Sequence, residues 1–406
     1  MKILLINKFL YPRGGDALCT LDTGRLLARK GHEVFYWGMS HPSNPSYRNS
    51  DLYVTHVDYN RALGFGPRLR IAHDVLYSHE AQRKIEELIR REKPDIAHIH
   101  NIAHQISPSI LPVLHHHQIP IVMTLHDYKM VCASYLLMAH GEICEACANG
   151  RYHKCFQKQC VKNSLAKSVL NTLEMYFHHT VRHIYGTVTT FISPSHFLKH
   201  KLHTMGFRRS IEVLPHFVSV SDYDPFYGSE EESVVYFGRL SREKGLDVLL
   251  DATEETSVQL KIIGTGPQRQ HLEQRVARRK TKNVVLGGFK TGSALHGEIR
   301  KAMCVVVPSE WYENSPRAIL ESFALGKPVI GSRIGGIPEL VRDDETGWTF
   351  RTGDAHDLRG KILSCFTQKE RLLTMGKCAR DFVIKKHNAN VHYKRLMSIY
   401  EEAVRS

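Results

Sequence analysis

The sequence predicts an α/β protein of two doubly wound, Rossmann-like domains facing each other across a cleft. Three observations predict it. Two separate series of short apolar runs alternate with amphipathic segments, one before residues 216–232 and one after. The runs are continuously apolar rather than alternating, as strands covered on both faces require. The length, 406 residues, accommodates two domains and little more.

In the first series the expected strands are KILLIN (2–7), HEVFYWG (32–38), DIAHIH (95–100), IPIVMTL (119–125) and TTFISPS (189–195), with amphipathic segments at 17–30, 79–92 and 107–117 between them. In the second they are SVVYFG (233–238), QLKIIG (259–264), NVVLGGF (283–289), MCVVVPS (303–309) and KPVIGS (327–332). Helical stretches around 246–254, 267–280, 294–302 and 316–325 intervene. Such alternation implies a parallel sheet with helices on both faces, here twice over. HFVSVSDYDPFYGSEEE (216–232) is polar and without helical period, and reads as the linker. The expected division is 1–215 with a cysteine-rich insert at 132–163, the linker 216–232, a second domain over 233–385, and a terminal helix over 386–406. That helix carries Val391, Leu396, Ile399 and Tyr400 on one face, for packing back on the first domain.

A composition of 42% apolar and 24% charged residues is that of a soluble globular protein, and no apolar window is long enough to span a bilayer. MKILLIN lacks the length of a signal peptide's apolar core, so the expected location is the cytoplasm. The net charge of +14 calls for anionic partners: phosphorylated substrates, anionic lipid or nucleic acid. RVARRKTK (275–282) and RALGFGPRLR (61–70) concentrate it locally. The second mixes Arg61, Arg68 and Arg70 with Leu63, Phe65 and Leu69, which suits a membrane interface at the inner face of the cell membrane, or a plain surface loop. Helix-turn-helix, aromatic RNA-binding and basic-tail patterns are missing, so no nucleic acid partner is expected.

Ligands of open α/β sheets sit beyond the carboxyl ends of the strands, so those ends carry the information. GRLSREKG (238–245) places Arg239 and Lys244 on one loop, two cations suited to a diphosphate. IIGTGP (262–267) offers Gly264 and Gly266 for close backbone approach, and YPRGGD (11–16) a Gly-Gly pair ending in Gly15. TLHD (124–127) puts His126 and Asp127 at a strand end, and HIHNIAH (98–104) does the same for His100, Asn101 and His104.

WYENSPRAILESFALGKPVI (311–330) is the most informative stretch. Ser315 reads as a helix N-cap and Pro316 as the first helical residue, followed by an apolar stripe of Ile319, Leu320, Phe323 and Ala324. The unpaired N–H groups of such a start favour phosphate. Glu313 just before the helix and Glu321 within it suit hydroxyl groups instead, which sugars supply in plenty. Taken singly each feature has a plainer reading: a solvated loop with Glu243 as cation partner, surface glutamates, a packed histidine.

Together these residues resemble the family-4 retaining glycosyltransferases of the GT-B fold, through PRGGD, LHD, GRLSREKG, GTGP, ENSPRAILE and GKPVIGSRIGGIPELV. The resemblance covers most of the chain. It implies a donor site in which Arg239 and Lys244 hold the diphosphate of a nucleotide sugar, helped by Gly15, Gly264 and the segment Asn314, Ser315, Pro316 and Arg317. It implies that Glu321 takes the ribose hydroxyls, Glu313 the transferred sugar, and His126 the sugar hydroxyls from across the cleft. The acceptor it implies is a glycan or a lipid-linked sugar of cell-surface polysaccharide synthesis. Catalysis then needs no metal: Asp222-Tyr-Asp224 matches an Asp-x-Asp motif in letters but falls in the linker. PHFVS (215–219) departs from the family's Pro-Asn-Gly-Val-Asp, with His216 in place of asparagine. Two other readings stay open, a sugar-nucleotide epimerase and a non-catalytic zinc-bearing adaptor on the same scaffold.

The insert HGEICEACANGRYHKCFQKQC (140–160) holds Cys144, Cys147, Cys155 and Cys160, with Cys132 shortly before. Four thiols so close, in a chain without an export signal, favour structural Zn²⁺ over disulfides. An iron–sulfur cluster or reduced thiols remain alternatives.

Overall fold

A computed structural model describes residues 1–56, 65–254, 256–279 and 282–405, with side chains from residue 71 onward in the second stretch. Residues 61–64 of the basic segment 61–70, and 280–281 of the segment 275–282, lie outside them.

The first domain runs β1 (Lys2–Ile6), β2 (Glu33–Trp37), β3 (Ile96–Ile99), β4 (Ile121–Thr124), a short hairpin of β5 (Met138–Ala139) and β6 (Glu142–Ile143), β7 (Thr190–Ser193) and β8 (Ile211–Val213). Its helices are α1 (Gly15–Arg29), α2 (Phe65–Leu76), α3 (His79–Glu92), α4 (Leu111–His116), α5 (Lys154–Gln157), α6 (Leu165–Met175) and α7 (His196–Thr204). The main sheet has the order β2-β1-β3-β4-β7-β8, and every pairing in it is parallel. The continuously apolar runs lie at its centre: Ile3, Leu4, Leu5 and Ile6 are completely buried. Serine hydroxyls start three of the helices, Ser78, Ser164 and Ser195 each accepting a backbone N–H from the first turn.

The second domain contains β9 (Ser233–Phe237), β10 (Gln259–Ile263), β11 (Val284–Gly288), β12 (Cys304–Val307), β13 (Val329–Ser332) and β14 (Gly347–Phe350). Around them lie α8 (Leu246–Thr253), α9 (Arg269–Ala277), α10 (Gly292–Lys301), α11 (Arg317–Ala324), α12 (Ile337–Leu340), α13 (Ala355–Thr367) and α14 (Lys369–Lys386). This sheet is also parallel throughout, in the order β11-β10-β9-β12-β13-β14. The expected pair of doubly wound sheets is therefore present. Strand order reverses direction between β1 and β3 in one sheet and between β9 and β12 in the other, which places the ligand crevices at those strands' carboxyl ends.

The last helix, α15 (Ala389–Arg405), returns to the first domain, where Leu396, Ile399 and Tyr400 pack with Ile3, Leu5, Val122 and Ile192. Val391 is left outside, 44% exposed. The two passages between domains are bound side by side. Val218 N–H donates to His387 O at 3.0 Å, and His387 Nδ1 lies 2.8 Å from His216 O.

Three local expectations are corrected. Pro316, not Ser315, stands at the N-cap of α11, in extended conformation (φ −69°, ψ 114°), and the helix begins at Arg317. The preceding loop is held elsewhere, with Gly336 N–H on Glu313 O at 2.7 Å, so the chain enters the helix one residue late. Segment 107–117 is divided into a 3₁₀ turn over Pro108–Ile110 and the short α4, because Pro112 permits only a fresh start. α6, which continues as a π-helical turn over Tyr176–Val181, has no counterpart in the sequence reading. Its polar residues face inward, which inverts the pattern by which helices are recognised.

Candidate active site

The crevice of the second sheet holds the pair Lys244 and Glu313. β9 runs into the loop bearing Arg239 and Lys244, and β12 runs into the loop bearing Ser309 and Glu313. The Lys244 ammonium lies 2.6 Å from Glu313 Oε1, and the Ser309 hydroxyl donates to the same oxygen at 2.6 Å. Burial pushes the Glu313 carboxyl up, but the Lys244 charge and these hydrogen bonds outweigh it and hold the carboxyl below its ordinary value. A buried, ionised carboxylate thus stands at the end of a central strand. Arg239 is exposed on this loop; burial, with the Asp127 charge, pushes the phenol of Tyr135 in the opposite domain up, and the Arg239 charge opposes that rise from across the cleft.

Backbone geometry around this pair is tight. Gly245 has φ +65°, and a Cβ there would lie 1.9 Å from Pro308 O; Gly264 has φ +149°, and a Cβ would lie 1.9 Å from Gly238 O. Only glycine fits either place. Gly15, at the first turn of α1, has open space where a Cβ would stand, leaving room before the helix start.

Glu321 lies one turn into α11 with Arg317, whose guanidinium is 3.5 Å from Glu321 and 2.8 Å from Asp22 of α1. Burial pushes the Glu321 carboxyl up and the nearby Asp22 charge adds to this, against the pull of Arg317. Arg317 therefore joins the domains through its side chain. Asn314 does likewise, with Oδ1 accepting from Ser195 Oγ at 2.6 Å and Nδ2 donating to Leu125 O at 3.3 Å. Ser315 and Pro316 are half-buried between these anchors. Tyr128 OH donates to Tyr312 O at 2.9 Å, and Tyr312 OH to Glu145 at 2.8 Å.

His126 reaches the cleft from the end of β4 inside a column of rings. His100 Nδ1 lies 2.9 Å from His126 Nε2, His126 stacks on His216, and His216 Nδ1 lies 3.3 Å from Cys19 Sγ. Burial lowers His126 to about 4 and holds His100 and His216 well below the ordinary histidine value, so the column is neutral. Burial also pushes the Cys19 thiol up to about 12. His100, His126, Asp127 and Lys129 line a small adjoining cavity of about 30 Å³. Cys19 and His216 carried no motif; only the departure at His216 from the family's asparagine pointed to them.

Cys147, Cys155 and Cys160 share a small cluster with Ala133, Tyr152 and Met175, while Cys144 is half-buried beside the hairpin. Burial, with Cys132 and Cys160 nearby, pushes the Cys147 thiol up to about 12. Among the described residues, the ligand-type atoms that gather as a set of three within 4.8 Å of one another are those of Cys19, His100 and His126. Asp224 of the Asp-x-Asp sequence pairs with Arg300 at 3.1 Å.

Two family models match the chain: Glycosyltransferase Family 4 over residues 13–222 and Glycosyl transferases group 1 over residues 225–382. N-acetyl-alpha-D-glucosaminyl L-malate synthase of Bacillus anthracis is 22% identical, over 99% of this chain and 98% of that protein. The putative colanic acid biosynthesis glycosyltransferase WcaL of Escherichia coli is 29% identical, over 41% of this chain and 44% of that protein. The structure of Anabaena Alr3699/HepE in complex with UDP and glucose superposes with a TM-score of 0.70 at 17% identity, over 99% of this chain and 100% of that one, and shares the two-domain fold. With more than half of the residues under one of the two family models, the chain belongs to glycosyltransferase family 4.

Proposed function

We propose that this glycosyltransferase moves a sugar from a nucleotide diphosphate donor to a glycan or lipid-linked acceptor in cell-surface polysaccharide synthesis, with retention of anomeric configuration and without a catalytic metal. The observation that carries the reading is the Lys244–Glu313 pair at the β9/β12 crevice, ammonium and carboxylate 2.6 Å apart. A diphosphate entering there meets Arg239 and Lys244, and a sugar beyond it meets Glu313 from one side and His126 from the other. UDP and glucose occupy the structurally similar Alr3699/HepE, and colanic acid is the product class named for WcaL.

Charge that develops on the departing diphosphate is stabilised by Arg239, Lys244 and the amides at the start of α11. Glu313, already ionised, stabilises positive charge that develops at the anomeric carbon. Glu321 takes ribose hydroxyls once Arg317 yields it. The acceptor reaches the same face that the diphosphate leaves, which preserves configuration. In the insert, Cys144, Cys147, Cys155 and Cys160 hold a structural Zn²⁺ in this reading. Binding would draw their sulfurs closer than they stand, which metal-coupled folding of a loop-rich segment allows. The proposed location is the cytoplasmic face of the membrane.

A thermal-shift series with UDP, GDP, ADP and their sugars tests the donor. One base should raise the melting temperature, since ligand at 100 times its Kd adds about 2.7 kcal/mol of stability. No shift with any of them would remove the nucleotide-sugar reading.

A further inference from the structure

α6 and the π-helical turn after it are built inside out. Its polar residues Ser168, Asn171, Thr172 and Glu174 are buried, and each has a hydrogen bond there. Glu174 accepts from Lys129 at 2.7 Å and lies 3.2 Å from the His104 ring; burial pushes its carboxyl up, but the Lys129 charge and these contacts outweigh it and hold the carboxyl far below the ordinary value. The apolar side faces outward. Leu165 is 54% exposed, Val169 36%, Leu173 53% and, beyond the turn, Val181 67%. Leu165, Val169 and Leu173 are spaced by four residues and so form one stripe. Leaving three large apolar side chains in water on one ridge opposes the usual drive to bury them.

Along this stretch of chain the charge at the surface has one sign. Between residues 151 and 182 the charged residues are Arg151, Lys154, Lys158, Lys162, Lys167, Arg182 and Glu174, and Glu174 is the one buried inside. An apolar ridge whose own stretch of chain carries six cations and no exposed acid is complementary to an anionic bilayer. A second copy of this chain is disfavoured, because an isologous contact would set the same cations against each other. Among the described residues no helix is long and apolar enough to cross a membrane, so contact would be with the surface.

We propose that the face formed by Leu165, Val169, Leu173 and Val181 docks on an anionic lipid surface, with the surrounding lysines and arginines in the headgroup layer. The apolar side chains enter the acyl boundary while the cations meet phosphate. Lys129, the buried partner of Glu174, follows His126 by three residues, so the docked helix lies against the segment that lines the cleft floor. This deepens the lipid-linked acceptor reading and rests on it only for the purpose of docking; the binding itself needs no sugar.

The test is co-sedimentation of the full chain with vesicles of phosphatidylcholine alone or mixed with phosphatidylglycerol, without donor. The chain should partition to the mixed vesicles and be released as salt rises well above about 0.15 M. The triple variant L165S/V169S/L173S should lose at least about tenfold in partitioning while its melting temperature and its transfer to a water-soluble acceptor hold. Lys158→Glu with Lys162→Glu should weaken binding to mixed vesicles and leave the weak binding to neutral ones unchanged. Equal binding of the native chain to both vesicle types would overturn the proposal, as would unimpaired binding by the triple variant. So would a native chain that ignores vesicles but self-associates in solution through this ridge. Loss of transfer activity with vesicle binding intact would instead count against the transferase reading alone.

Discussion

Glu313 and Lys244 hold each other in a geometry that a diphosphate bound as proposed must reorganise. Lys244 can serve phosphate only by sharing or leaving the carboxylate 2.6 Å away. Glu313→Gln removes the charge and keeps the shape. Transfer should fall by a factor of about 10² or more, the scale of losing one electrostatic stabiliser. Affinity for the nucleoside diphosphate should stay level or rise, since Lys244 is released; isothermal titration checks this, and a marked loss would reassign the residue to donor binding. Asp22→Asn removes the carboxylate that joins Arg317 to the first domain. Both side chains are partly solvated, so the cost should be about 1–3 kcal/mol, read as a lower melting temperature. The strand-end residues Arg239, Lys244, Glu313 and His126 were legible because the α/β pattern places them at the crevices whatever the details. Asp22, Asn314 and Cys19 were not, since their roles depend on which side chains the opposite domain brings to meet them.

At the scale of elements, the continuously apolar strands identified themselves, and so did the helix after Pro316 to within one residue. Others did not: β8, β14, the β5–β6 hairpin and the helices α6, α7, α13 and α14 are absent from what the sequence predicts. β8 (three residues) and the β5–β6 hairpin are too short for any period to register. α6 has the ordinary spacing with its faces exchanged, and sequence periodicity reports spacing without saying which side is outside. The insert before it carries the metal proposal. Cys147→Ser should lower bound Zn²⁺ by about one equivalent per chain and lower the melting temperature of the first domain. Unchanged metal content by atomic absorption, with unchanged melting, would dismiss zinc there.

Across the whole molecule the histidines tie stability to acidity. Burial lowers His98 to about 3, and His126 and His392 to about 4, whereas the unfolded chain has them near 6.5. Between those values the unfolded state binds protons that the folded state refuses. Stability is then fully present above about pH 6.5 and declines as pH falls toward 4. Melting temperature should be level from pH 7 upward and drop steeply between about pH 6 and 4.5; a flat profile there would contradict neutral burial of these rings.

The adjacent passages at Val218 and His387 have a mechanical outcome. Two neighbouring points of attachment define a single axis, like a door on two pins, so the lobes can swing open but have little freedom to twist or slide. Cutting the chain before α15 would leave one pin. The lobes would then sample many misaligned poses, and turnover should suffer even though every group proposed to meet the sugar nucleotide is still in place.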